Sequence, residues 1–184
     1  MRVAGRRGFE PAIPAPMQHS PPFDDGMESV WRWVCPREIQ LDVHARNKRE
    51  VLAAVASLCA QSLGLPPAPI LRALWRREQA GSTGLDHGVA LPHARITGIE
   101  HPLTMFVRTT KPIEFRSPDG EPVSQLFVIL VPEQRPSDEH LVLLARIAEM
   151  LSNRDLRSRV ATASSAAVVH SIFAQWVVRH RRSE

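Results

Sequence analysis

The spacing of apolar residues changes twice along this 184-residue chain, and that change constrains the fold more than any other feature. Between residues 47 and 80, apolar side chains recur every three or four positions, as they do on one face of a helix. The central segments 89–91, 103–109 and 125–131 are instead short apolar runs of the kind that form buried strands. After Pro132 the helical spacing returns. A strand-rich centre enclosed by helices predicts an α/β fold, a single domain in which helices cover both faces of a mixed β-sheet.

Capping residues predict where the first elements begin and end. Residues 39–43 alternate between apolar and polar side chains and predict the first strand. Asn47, followed three residues later by Glu50, forms a capping-box pattern that opens a helix, and Gly64 ends that helix. A second helix is predicted from about Pro67 to Ala80.

Turn and cap residues also mark the second half of the chain. The segment 117–120 has the turn sequence Ser-Pro-Asp-Gly. Ser137 can cap a helix over residues 138–151, and Ser164 can cap a last helix that reaches about Val178.

The two ends of the chain are predicted to lie outside the folded domain. Residues 1–26 contain five prolines and few aliphatic residues, so they are expected to form a disordered N-terminal extension. The folded domain is expected over residues 27–178, followed by a basic tail over residues 179–184. No run of about 18 apolar residues occurs, and prolines interrupt the stretch that a secretory signal would need. The chain is therefore expected in the cytoplasm, without a membrane span.

The net charge of +4 raises the question of nucleic-acid binding, but the pattern of charges argues against it. The basic residues are scattered and nearly all are arginines, with only Lys48 and Lys111 as lysines. No helix-turn-helix, zinc-finger or aromatic RNA-binding signature is present. Cys35 and Cys59 have the spacing of no zinc or redox motif. We therefore expect no nucleic-acid partner and rank that function last.

The segment between Arg77 and His93 contains the residues best suited to chemistry. Three glycines and a Ser-Thr pair lie there between a predicted helix and a short strand. The amides and hydroxyls of such a loop can donate hydrogen bonds to an anion. A near-neutral imidazole is a nucleophile that needs no separate base, and Arg77 can balance charge on oxygen. The residues alone indicate an anion-handling loop with a histidine, and a structural histidine beside an ordinary turn is the alternative.

The same segment closely resembles the active-site signature of the fructose/mannitol-type IIA domains of the bacterial phosphotransferase system. The matching pieces are, in order, Arg77–Glu78, Gly81–Gly84, Gly88–His93, Lys111–Phe115, Asp119–Val123, Leu126–Pro132 and His140–Ala145. Together the match spans about residues 36–175, most of the chain. Because no permease or IIB segment is fused to it, the chain most resembles the nitrogen-regulatory branch, whose members modulate other proteins.

The resemblance implies a role for each matching residue. His93 corresponds to the phosphorylated nucleophile, and His140 and Arg77 correspond to further catalytic residues beside it. The loop residues expected to bind the phosphoryl group are Ser82, Thr83 and Gly84. The protein would be a phosphotransferase-type phosphocarrier with a phosphohistidine intermediate and a mainly regulatory role, and it would need no metal and no cofactor.

The implied partners are proteins. An HPr-like phosphocarrier would donate the phosphoryl group, and an unknown regulated protein, such as a potassium transporter or a sensor kinase, would respond to it. A IIA component of a sugar-transporting phosphotransferase system is an alternative.

Two residues, Asp86 and His87, depart from the family pattern. Asp86 brings negative charge near a site meant for a phosphate, so a regulatory binding module of the same fold that is not phosphorylated is a further alternative. His87 and His93 could suggest a metal pair, but no cysteine or carboxylate set completes such a site.

Overall fold

The computed structural model describes residues 36–134 and 137–180, apart from the side chains of residues 137–140 and of His180. The predicted N-terminal extension (residues 1–26), Cys35 and residues 181–184 lie outside the described residues. Within the described residues, no helix has both the length and the apolar character needed to cross a membrane.

A mixed β-sheet of five strands forms the centre of the described part of the chain. Its strands are β1 (Ile39–Val43), β2 (Val89–Ala90), β3 (His93–Ile96), β4 (Leu103–Ile113) and β5 (Val123–Pro132). β1 pairs with β4 in parallel, β4 pairs with β5 antiparallel, and β2 and β3 both pair with β5 in parallel. The predicted strands are confirmed, and β3, which the sequence pattern does not predict, continues the edge of the sheet after Pro92.

Five helices of the described chain enclose this sheet. They are α1 (Lys48–Leu63), α2 (Pro67–Gln79), α3 (Ser137–Ser152), α4 (Arg154–Thr162) and α5 (Ala166–His180). Neighbouring residues of a strand point to opposite faces of the sheet. Val107 and Val128 accordingly pack with residues of α1 and α2, whereas Phe106 and Phe127 pack with residues of α3, α4 and α5. The predicted fold class, a single α/β domain with helices on both faces, is confirmed.

The predicted capping residues set the ends of α1. The Oδ1 of Asn47 accepts a hydrogen bond from the amide of Glu50 across 3.0 Å, and Gly64 ends the helix in the left-handed region at φ 66°. The Glu50 carboxylate accepts from the amide of Arg46 at 3.0 Å, one residue before the position of the usual capping box. The boundaries that the sequence predicts for α1 are confirmed.

The C-terminal part differs from the prediction in three places. Asn153 caps α4, a helix that the sequence analysis does not predict, and its side chain accepts a hydrogen bond from the amide three residues later at 2.9 Å. The last helix is capped by Ser165, whose Oγ accepts from the amide of Val168 at 3.3 Å, and not by Ser164. This helix continues to His180, so the first two residues of the predicted tail are helical.

Candidate active site

His93 is the first residue of β3 and lies half-buried at the edge of the sheet. Its Nδ1 lies 2.8 Å from the carbonyl oxygen of Leu91, which can only accept, so Nδ1 carries the proton. Its Nε2 lies 2.9 Å from the Nε of Arg77. A guanidinium can only donate, so Nε2 is the acceptor. These two partners fix one neutral tautomer of His93, with a lone pair on Nε2.

The surroundings of His93 favour the neutral imidazole. Burial lowers the pKa of His93 below its ordinary value of 6.5, and the positive charge of Arg77 acts in the same direction. The hydrogen bond to Leu91 and the negative charge of Glu78 oppose this shift without reversing it. Because only a neutral ring has a nucleophilic nitrogen, the lowered pKa keeps the ring reactive to more acidic pH.

Arg77 connects His93 to the loop that follows α2. It lies in the last turn of α2, and its Nη1 donates to the carbonyl oxygen of Gly81 across 2.9 Å. The guanidinium is therefore held at two points, the histidine ring and the loop backbone. A cation fixed beside Nε2 can stabilise the negative charge of an incoming phosphoryl group.

The three loop residues predicted to bind the phosphoryl group are tied to the fold around them. The Oγ of Ser82 donates to the carbonyl oxygen of Phe115 at 2.5 Å and accepts from the amide of Gly84 at 3.1 Å. Thr83 is buried, and its amide and hydroxyl both donate to one carboxylate oxygen of Glu78, at 2.9 and 2.5 Å. Gly84 is buried as well. These contacts shape the loop, and phosphoryl binding by its residues stays a prediction.

A buried ion pair that the sequence analysis does not predict supports this loop. The Nζ of Lys48 lies 2.5 Å from Oε1 of Glu78 and also donates to the carbonyl oxygen of Phe115. The side chains of Lys48 and Glu78 are only 17% and 4% exposed, so both charges have lost most of their contact with water. Their mutual attraction offsets this desolvation cost. The Glu78 carboxylate therefore links two parts of the structure. One oxygen contacts Lys48 of α1, and the other accepts from Thr83 of the loop.

Two signals in the sequence point to this pair. Glu78 directly follows Arg77 in the motif that resembles the family signature. Lys48 is one of only two lysines in a chain rich in arginine, so it stands out from the other basic residues. Their contact depends on the packing of α1 against α2, which joins residues 30 positions apart and is not readable from local pattern.

Asp86 and His87, which depart from the family pattern, lie in the exposed part of the loop. His87 adopts the left-handed region at φ 66°, and its amide donates to Oδ2 of Asp119 across 2.6 Å. This hydrogen bond, with a second one from the amide of Glu121, holds the pKa of Asp119 below its ordinary value. No group of three or more metal-binding side chains occurs within the described residues, around His93 or elsewhere.

Comparison with known proteins places this geometry in a family. The family model described as "Phosphoenolpyruvate-dependent sugar phosphotransferase system, EIIA 2" matches residues 34–176. The chain belongs to this family. The match includes the helix that carries Arg77, the loop after it and the strand that begins at His93.

Several relatives of this EIIA domain have names that refer to nitrogen regulation. A nitrogen regulatory protein of Pseudomonas aeruginosa is 38% identical over 138 residues, which are 74% of this chain and 89% of that protein. One from Bradyrhizobium diazoefficiens is 33% identical over 141 residues, 77% of this chain and 92% of that protein. The crystal structure of nitrogen regulatory protein IIA-Ntr from Neisseria meningitidis matches with a TM-score of 0.74 and 35% identity, covering 78% of this chain and 98% of that one.

The second predicted histidine of this EIIA domain, His140, lies in the first turn of α3. Its side chain is outside the described residues, so its place beside His93 stays a prediction. The two residues that follow it, Leu141 and Val142, are 62% and 60% exposed. We call this apolar pair at the start of α3 the α3 patch.

Proposed function

We propose that this protein is a cytoplasmic phosphoryl carrier, which accepts a phosphoryl group on Nε2 of His93 from an HPr-like phosphocarrier and regulates partner proteins through its phosphorylation state. The observation that carries the proposal is the pair of hydrogen bonds on His93. Nδ1 donates its proton to the carbonyl oxygen of Leu91 at 2.8 Å, and the lone pair of Nε2 accepts from Nε of Arg77 at 2.9 Å. The ring is therefore already in the protonation state and orientation that a nucleophile needs.

The transfer step exchanges one nitrogen–phosphorus bond for another. The lone pair of Nε2 attacks phosphorus while the bond from phosphorus to the donor imidazole breaks, and the bonding electrons return to the donor ring. The proton on Nδ1 stays hydrogen-bonded to Leu91 throughout. Since the bond made and the bond broken are of the same kind, the step is freely reversible, and catalysis consists of positioning and charge stabilisation.

Arg77 has a different partner before and after this step. Before transfer its Nε–H donates to the Nε2 lone pair. Once that lone pair bonds to phosphorus, it can no longer accept, and the nearest new acceptors are the phosphoryl oxygens. Arg77 therefore orients the nucleophile first and then stabilises the transferred charge, while His140 is proposed to assist from the start of α3.

The α3 patch is the proposed docking surface for the phosphocarrier. Exposed apolar side chains on a soluble domain favour burial against a partner, and Leu141 and Val142 directly follow His140. A transient transfer complex needs only a small interface, so a few such anchors are enough.

The regulatory part of the proposal follows from charge. A phosphoryl group adds negative charge to one small area, so a partner can bind one form of the protein and be repelled by the other. The relatives named nitrogen regulatory proteins support this role over sugar transport. A potassium transporter or a sensor kinase is the proposed kind of regulated protein.

Intact-mass measurement after incubation with a phosphorylated HPr-like carrier tests the proposal. We expect an acid-labile gain of one phosphoryl group in the wild type and none in His93→Ala. The matched control is His44→Ala, which removes an exposed histidine that follows β1 and should leave the gain unchanged. No gain with several phosphorylated carriers would reject phosphoryl transfer and favour a binding module that is not phosphorylated. Loss of uptake of a single sugar on gene deletion would favour the sugar-transport alternative.

A further inference from the structure

A cleft of about 400 Å³ lies between α2 and the end of β3, apart from the site built around His93. Its apolar lining includes Leu65, Ile70 and Ile96. β3 and β5 run parallel and end together here, with Ile96 opposite Pro132. In α/β sheets, the space beyond the carboxyl ends of parallel strands is the usual place for ligands.

Three arginines line this cleft, together with a single acidic residue. Arg72 and Arg76 come from α2 and Arg95 from β3, while Glu133 is the acidic residue. The Nη1 of Arg95 donates to the backbone carbonyl of Glu133 at 3.2 Å, which anchors that guanidinium at the wall. The cleft therefore combines an apolar lining with an excess of positive charge.

The positive charges of Arg72 and Arg76 repel each other and so destabilise α2 slightly. They are exposed, and neither forms an ion pair within the described part of the chain. Like charges four residues apart on a helix repel each other. The helix dipole favours a cation at Arg76 in the last turn, but that effect falls off before Arg72. An anion bound between the two guanidinium groups relieves this repulsion.

The cleft is distinct from the His93 site. His93 begins β3 and Ile96 ends it, which separates the two places along the strand by roughly 10 Å at the usual rise per residue. The arginine at the active site, Arg77, contacts His93 and Gly81 and does not line the cleft.

We propose that this cleft binds a small phosphorylated metabolite of about nucleotide size. Arg72 and Arg76, with Arg95 beside them, would hold the phosphate oxygens, because guanidinium groups bind phosphate through paired hydrogen bonds. The apolar part of the ligand would lie on Leu65 and Pro69. A cleft of this volume falls within the range usual for small-molecule sites. Binding does not depend on phosphorylation of His93.

Titration of the full-length protein with ADP at physiological ionic strength, followed by amide NMR shifts and calorimetry, tests this inference. We expect saturable shifts confined to the cleft, at Ala73, Thr97 and Gly98. The double variant Arg72→Gln/Arg76→Gln should raise the Kd for ADP by about tenfold or more. The control Arg154→Gln, which removes an exposed arginine at the start of α4, should leave the Kd unchanged.

Three further titrations identify the class of ligand and the site at which it binds. Pyrophosphate and citrate should bind more weakly than ADP, because the first lacks an apolar part and the second lacks phosphate. His93→Ala should bind ADP as the wild type does, which separates this site from the phosphoryl-transfer site. If citrate or pyrophosphate bound as tightly as ADP, the cleft would not be selective for a phosphorylated ligand of nucleotide size, and that part of the proposal would be wrong. If ADP did not bind saturably, or if binding were lost in His93→Ala rather than in the arginine variant, the proposal that this cleft is a ligand site would be wrong.

Discussion

The Nε of Arg77 donates a hydrogen bond to Nε2 of His93 across 2.9 Å, at the atom proposed to attack phosphorus. The same guanidinium donates through Nη1 to the carbonyl oxygen of Gly81. Arg77 therefore contacts both the proposed nucleophile and the loop backbone, so a change at this residue should affect both.

Arg77→Gln should slow phosphoryl acceptance by about a hundredfold, the usual effect of removing one donor that stabilises developing charge. Arg77→Lys should recover only part of the rate, because an ammonium keeps the charge but cannot contact His93 and Gly81 in the same plane. The initial rate of acid-labile phosphate incorporation from a phosphorylated HPr-like carrier measures both. Arg154→Gln is the matched control, and a wild-type rate for Arg77→Gln would contradict the role given to this residue.

The lowered pKa of His93 predicts a specific dependence of stability on pH. The folded state binds a proton at His93 less readily than the unfolded state, whose ordinary value is 6.5. The unfolded state therefore gains more protons as pH falls, and the contribution of His93 to stability is present above pH 6.5 and decreases as pH falls through the folded-state pKa.

The test compares wild type with His93→Gln, which cannot titrate at this position. Urea unfolding above and below pH 6.5 should show a larger fall in the free energy of unfolding for wild type than for the variant. An equal fall in both proteins would show that protonation of His93 is not linked to folding.

The buried pair of Lys48 and Glu78 predicts a loss of stability when one charge is removed. Glu78→Gln leaves the Lys48 ammonium without its carboxylate and weakens the bonds to Thr83, so the free energy of unfolding should fall by about 2 to 3 kcal/mol. Urea unfolding at neutral pH measures the change. Glu121→Gln, an exposed acid outside this network, should change stability by less than about 0.5 kcal/mol.

A double-mutant cycle separates this pair from general damage to the loop. The destabilisation of Lys48→Met and Glu78→Gln together should be smaller than the sum of the two single effects, because each single variant leaves the other group unpartnered. Additive effects would contradict a direct interaction between the two side chains.

The close packing of Gly84 predicts that a methyl group there will not fit. A Cβ at this position would lie 2.6 Å from Ser117 Oγ and 3.2 Å from the Cβ of Phe115. Gly84→Ala should therefore lower the free energy of unfolding by about 1 to 3 kcal/mol. Adding Ser117→Ala removes the nearest atom and should restore part of the loss in thermal or urea unfolding. No recovery in the double variant would place the strain elsewhere.

Most strands and helices of this fold can be predicted from the sequence because the residues that specify them are close together in the chain. The continuous apolar runs of β4 and β5 reflect strands that are buried on both faces, and Asn47 and Gly64 act on their own helix ends. α4 is missed because its nine residues are mostly polar, and Leu156 and Val160 alone are too short an apolar pattern to indicate a helix. β4 runs past the predicted end because a register irregularity after Arg108 lets pairing resume at Ile113.

The candidate site is predicted less completely, for a physical reason. Resemblance to a family signature singles out Arg77 and His93, and the structure brings their side chains together. The same resemblance does not assign Glu78 a role, and Lys48 lies outside the motif. Their contact arises from helix packing, and a buried ion pair leaves no periodic pattern in a sequence.

The α3 patch predicts how the phosphocarrier recognises this protein. Leu141 and Val142 are exposed, so Leu141→Ser/Val142→Ser should leave the fold intact while removing apolar area from the proposed docking surface. We expect the KM for the phosphorylated carrier to rise about tenfold, with little change in kcat, since the substitutions do not touch His93 or Arg77. Val178→Ser is the matched control, because Val178 is 57% exposed on α5 and lies outside the patch. A fall in kcat at unchanged KM would mean that the patch positions His140 rather than the carrier.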